Sequence, residues 1–139
     1  MKYILIGVVI MFLYSDIVAN EVDEIQVVEL VKSDKSWDQQ ILPEYPQGQP
    51  EITVLRITIP AGKELPVHMH PFINAGVLLK GELSVTTENG DTFQLKVGDP
   101  IVEVVNTWHY GKNEGDEPLE IIVFYAGIVD EEITIKQVK

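Results

Sequence analysis

Beyond Ala19 the chain alternates apolar and polar positions in short runs, and no long stretch holds the 3.6-residue period of a helix. The runs predict strands at Ile25 to Val31, Ile52 to Ile59, Ala75 to Leu79, Glu82 to Thr87, Thr92 to Leu95, Ile101 to Val105, Thr107 to Lys112, Leu119 to Tyr125 and Ile133 to Val138. Between them stand Pro60-Ala61-Gly62, Glu88-Asn89-Gly90-Asp91, Gly98-Asp99-Pro100 and Asn113-Glu114-Gly115-Asp116, rich in residues that fix a turn or accept positive φ. Asn89-Gly90 is the strongest hairpin signal, because tight hairpin turns need positive φ at their centre. So many short, evenly spaced strands predict an all-β domain, a double-sheet jelly roll with a cavity between its sheets.

Two segments depart from this rhythm. At the start, Lys2 precedes the apolar run Tyr3 to Tyr14 and then Ser15-Asp16-Ile17-Val18-Ala19, which predicts a secretory signal peptide over residues 1–19, cleaved before Asn20. The apolar run falls well short of the roughly 20 residues that cross a bilayer, so no integral membrane segment is expected after cleavage. No cysteine follows to take a lipid, which leaves a soluble periplasmic or secreted protein. The second departure is Ser33 to Pro50, where Trp37, Pro43, Tyr45, Pro46, Gly48 and Pro50 punctuate a polar stretch. Prolines disfavour a central strand, and Trp37, Ile41, Leu42 and Tyr45 could pin an ordered loop over the barrel, over its mouth or against a second subunit. Residues 20–50 are therefore an N-terminal strand and ordered loop, and residues 51–139 the β-barrel domain.

With 139 residues there is room for one domain. Twenty-two acidic against ten basic residues give a net charge of −12, which repels phosphate backbones and anionic lipid and excludes nucleic acid as a partner. The absence of cysteine rules out disulfides, thiolate ligands and a cysteine nucleophile, so metal chemistry rests on imidazole, carboxylate and amide groups. No Gly-x-Ser-x-Gly, phosphate-cradling loop or dinucleotide fingerprint is present, which leaves hydrolase, kinase and nicotinamide functions unsupported.

The three histidines of the chain fall in two places. His68 and His70 lie two apart, a spacing that on a strand points both imidazoles to one face, as two ligands of one metal require. His109 lies in a run where Thr107 and Gly111 share its face and Trp108 and Tyr110 belong to the outer packing. Isolated histidines are commonly satisfied by hydrogen bonds, but three at converging positions predict a metal site.

Around these residues the sequence resembles the cupin superfamily. Its first motif runs glycine, five residues, His-x-His, three or four residues, glutamate, six residues, glycine, and Gly62, His68, His70 and Gly81 match it. Its second runs glycine, five residues, proline, one, glycine, two, histidine, three, asparagine; Gly98, His109 and Asn113 match, with Val104 and Asn106 in place of the proline and glycine. The resemblance spans most of Ile52 to Ala126 and implies a jelly-roll cupin barrel, or double-stranded β-helix. It also implies a divalent metal cofactor on His68, His70 and His109. Asn74 stands where the family has its glutamate ligand, so the resemblance offers only a neutral amide there. That amide either ligates or bonds backbone or a histidine's second nitrogen. Three-histidine sites of this kind occur among cupin-like dioxygenases acting on thiols and diketones.

For a small-molecule ligand, Phe72 is expected to line the pocket, and Arg56, the only arginine, either receives a carboxylate or pairs with a surface acid. Glu103 could act as a base, but its apolar neighbours leave its direction undecided. Two functions follow: a metal-dependent, dioxygenase-type enzyme on a small organic substrate, or an exported protein that binds or senses a metal or small ligand without turnover. Iron, manganese, zinc, copper and nickel all accept imidazole. The alternation of Ile133 to Val138 suits pairing with a second subunit, so a homodimer is expected.

Overall fold

The structure is a computed structural model and describes residues 24–137; the expected signal peptide lies outside them. The strands are β1 (Pro50–Ile59), β2 (His68–Met69), β3 (Asn74–Lys80), β4 (Leu83–Thr87), β5 (Thr92–Leu95), β6 (Pro100–Val102), β7 (His109–Asn113), β8 (Leu119–Ile128) and β9 (Ile135–Lys136). They form two antiparallel sheets, one ordered β1-β8-β3-β6 and the other β5-β4-β7-β2-β9, and the described residues contain no helix. This is the predicted all-β jelly roll.

Register explains the core. β1 and β8 pair along their whole length, from Pro50 opposite Ile128 to Ile59 opposite Leu119, and period two turns Leu119, Ile121, Val123 and Tyr125 inward together. With Leu78 of β3 and Ile101 of β6 in the same sheet, these meet Leu83 and Val85 of β4 and Leu95 of β5 across the sandwich, forming one buried cluster. The β4–β5 hairpin turns at Asn89-Gly90 as expected, with Thr87 N–H donating to Asp91 O at 2.9 Å and Gly90 N–H to Thr87 O at 2.9 Å. Asn106, at the position of a motif glycine, holds φ +55°, a left-handed conformation that asparagine tolerates better than any β-branched side chain. At Gly81 the chain runs so close to Leu119 that a Cβ would lie 2.7 Å from the Leu119 Cβ.

Several expectations are corrected. Ile25 to Val31 forms no strand and pairs with none among the described residues, with Ile25 and Val27 96% and 91% exposed. Leu30 and Val31 instead edge a groove on the outer face of the first sheet, with Ala75, Val77, Pro100, Ile122 and Phe124. Within Ile133 to Val138, of which Val138 lies outside the described residues, the strand is β9, which already pairs with β2, Lys136 opposite His68. The Ser33 to Pro50 loop is ordered by a Lys35–Ile41 bridge and by Trp37 N–H donating to Val102 O at 2.9 Å. Trp37 stacks on Phe93 at 5.6 Å between ring centroids, whereas Ile41 and Tyr45 are exposed. The loop covers the flank of β6 and lines neither the histidine cavity nor its vestibule.

Candidate metal centre

The three histidines converge because the sheet makes them neighbours. His68 of β2 stands directly opposite His109 of β7, and antiparallel partners share a face; His70 follows two residues on. The ring centroids lie 4.5 Å (His68–His109), 4.9 Å (His68–His70) and 5.1 Å (His70–His109) apart, and one ligand nitrogen from each lies within 4.8 Å of the others.

Each ring is fixed through its Nδ1 by a backbone carbonyl: His68 to Pro66 O at 2.7 Å, His70 to Ile133 O at 2.9 Å and His109 to Thr107 O at 2.8 Å. A carbonyl only accepts, so Nδ1 carries the proton in all three rings and the lone pair sits on Nε2. Backbone carbonyls orient metal-binding histidines in this way. Burial, partly offset by the Pro66, Ile133 and Thr107 carbonyls respectively, lowers all three imidazole pKa values, His70 to about 4. The rings are thus neutral at pH 7, the form that binds a cation.

Opposite them, the first sheet contributes two oxygens. Asn74 is fully buried; its Nδ2 donates to Phe72 O at 3.1 Å, and its Oδ1 has no hydrogen-bond partner. Glu103, just after β6, is also buried, with Oε2 unpartnered and 3.8 Å from His109 Nε2. Burial pushes its pKa up to about 7, against the pull of His68, the Val104 N–H and the Trp37 indole. That indole N–H approaches without closing a bond of normal geometry and is itself unpartnered. The donor set fits a divalent cation: three neutral nitrogens and two orphaned oxygens facing one space.

The cavity they share holds about 40 Å³ and is otherwise lined by apolar groups, including Ile59, Leu65, Val85, Ile121 and Val123. His68 and His70 also border a vestibule of about 150 Å³ walled by Leu55, Ile57, Leu65, Pro66 and Tyr125, with Thr134 and Lys136 at its edge. Burial raises Tyr125 to about 12, with the Glu103 charge adding to it, so its hydroxyl stays protonated.

Of the residues singled out from sequence, His68, His70, His109 and Asn74 meet at this cavity, and Gly111 lines it beside His109. Arg56 does not: the inward face of β1 is the other one, and Arg56 points out to Glu120 at 3.5 Å. Phe72 is buried but lines neither the cavity nor the vestibule, because the chain bends after His70 and period two no longer applies. Glu103, whose direction the sequence left undecided, faces the cavity, whereas Tyr125 and Lys136 carried no readable sequence signal as site residues.

A jelly roll enclosing three carbonyl-anchored histidines has the donor arrangement of a barrel able to hold a metal ion. The chain belongs to the cupin family: residues 55–125 match the model described as "Cupin domain". No curated protein matches it. Among solved structures it is similar to the oxalate decarboxylase of Lactobacillus farciminis, determined as a formate complex (26% identity, TM-score 0.53, covering 61% of this chain and 26% of that one). It is also similar to the DMSP lyase DddQ of Ruegeria pomeroyi (21%, TM-score 0.52, 62% and 43%). An uncharacterised double-stranded β-helix protein of Klebsiella pneumoniae aligns over its entire length (21%, TM-score 0.54, 84% and 100%). The chain thus spans under half of the lyase and about a quarter of the decarboxylase, and these likenesses establish the barrel.

Proposed function

We propose that this protein is an exported cupin that holds one divalent transition-metal ion on His68, His70 and His109 and uses it as a dioxygenase-type enzyme on a small organic molecule. The observation that carries this is the triple anchoring of Nδ1, which leaves three neutral Nε2 atoms aimed at one buried space. A bound metal would supply Lewis-acid or redox chemistry. The chain's own residues do the rest. Ile57, Leu65 and Tyr125 keep the approach dry, which strengthens electrostatic interactions inside. Among the described residues Lys136 brings a basic side chain to the vestibule and, on a protein of net charge −12, offers a local landing point for an acidic group. The fit is to a compact substrate with an anionic end, since the vestibule is about 150 Å³. The small size of the histidine cavity, about 40 Å³, favours as a second reading a protein that binds metal or a small ligand without turnover.

The test is elemental analysis of the protein exported by its own signal and purified without chelator or tag, followed by oxygen uptake with thiols, diketones and phenolics. About one metal per chain, lost in His68→Ala, His70→Ala and His109→Ala, together with uptake on one substrate, supports the enzyme. Metal without uptake supports the binding protein, and retention of metal by all three variants refutes the site. A homodimer forms part of the proposal, supported by exposed Ile52, Val54 and Phe124 on the outer sheet face. Sedimentation as a clean monomer at micromolar concentration refutes it.

A further inference from the structure

We propose that Glu103 supplies the carboxylate ligand that position 74 lacks, completing the ion's shell with His68, His70 and His109; this rests on the metal-binding reading above. β3 and β6 run antiparallel, Ala75 opposite Val102 and Gly76 opposite Ile101. One step further Glu103 stands opposite Asn74, and its N–H donates to Asn74 O at 3.1 Å. Directly opposed residues of an antiparallel pair put their side chains on the same face. A carboxylate moved from position 74 to position 103 therefore enters the same space from the adjacent strand.

The surroundings of the carboxylate agree. Oε2 is buried without a donor, a costly state for an oxygen anion that a cation relieves. Its 3.8 Å separation from His109 Nε2 is a spacing one ion can bridge, since two donors each about 2.1 Å from a metal lie about 3.0 to 4.2 Å apart. The amide at 74 fits the same scheme. A second carboxylate there would face Glu103 across one strand spacing, placing two like charges in a buried cavity, whereas Asn74 brings a neutral oxygen. Three imidazoles and one carboxylate leave a divalent ion with one net positive charge, as in a cupin that keeps its motif glutamate.

The experiment compares metal-stripped wild type, Glu103→Gln and His109→Ala. Each is titrated with Zn(II) against a chromophoric chelator and with Co(II) followed by visible absorption; far-UV circular dichroism checks that the isosteric glutamine keeps the fold. Glu103→Gln is expected to weaken Zn(II) binding by about tenfold or more and to shift the Co(II) d–d bands. A smaller loss, or an unchanged Co(II) spectrum, overturns the assignment of Glu103 as a ligand while a three-histidine centre stands. If wild type binds Zn(II) no more tightly than His109→Ala, the metal-binding reading falls with it.

Discussion

Replacing Glu103 by glutamine in the metal-free protein should raise its stability, by an amount that grows with pH. The folded carboxyl titrates near 7 against 4.5 ordinarily, because burial penalises its charge. A group with a raised folded pKa contributes fully below its unfolded value, and its contribution is lost as pH climbs through the folded one. The shift corresponds to about 3 kcal/mol of penalty once both states are ionised. Glutamine has no such charge, while His68, His70 and His109 titrate in both proteins and largely cancel in the difference. Urea unfolding of chelator-stripped wild type and Glu103→Gln, extrapolated to water, should show a gap under about 1 kcal/mol at pH 5 and near 3 kcal/mol at pH 8. A gap equal at the two pH values, or a wild type more stable at pH 8, would refute the assigned burial and charge state. With Zn(II) present the order should reverse, because the ion then compensates a charge that only the wild type has.

Other consequences are open to the same kind of measurement. The depressed imidazole pKa values stabilise the metal-free fold above about 6.5, and this is lost as pH falls toward the His70 value of about 4, so the acid limb should be shallower in His70→Asn. Asn113→Ala should cost on the order of 3 kcal/mol in chemical denaturation, because Asn113 Nδ2 holds Ile59 O and Glu117 O and its Oδ1 holds the Gly115 N–H. Asn106→Gly should gain up to about 1 kcal/mol and Asn106→Val lose about 1 to 2 kcal/mol, read from melting curves, since φ is positive there. Arg56→Lys should leave metal affinity unchanged by calorimetry, its partner being the surface residue Glu120.

The barrel was legible in the sequence because period two survives wherever one face of a strand is buried; β4 and β8 sit where the alternation placed them. The three histidines were legible through their spacing, since that spacing is what register and pleat convert into convergence. Arg56 was not, because β1 carries apolar residues on both faces: Ile52 and Val54 look out, Ile57 and Ile59 look in, and only pairing with β8 decides between them. Glu103 was hidden for a related reason. It lies within Ile101-Val102-Glu103-Val104-Val105, a run apolar on both sides that carries no alternation. Its direction follows from its place opposite Asn74, a long-range fact. The Ile25 to Val31 segment shows the converse: alternation marks a strand's chemistry but cannot provide the neighbour it bonds to.

The carbonyl that orients His70 comes from Ile133, sixty-three positions further along the chain, and Thr134 Oγ1 lies 3.2 Å from the same Nδ1. Together with the pairing of Lys136 and Ile135 to His68 and Met69, this moors the C-terminal tail to two of the three ligands. Local opening of that tail would release the carbonyl that orients His70 and so weaken the hold on a bound ion. Occupancy should slow amide hydrogen exchange and proteolytic nicking around residues 133–136, so the tail would work as a gauge of whether the barrel is loaded.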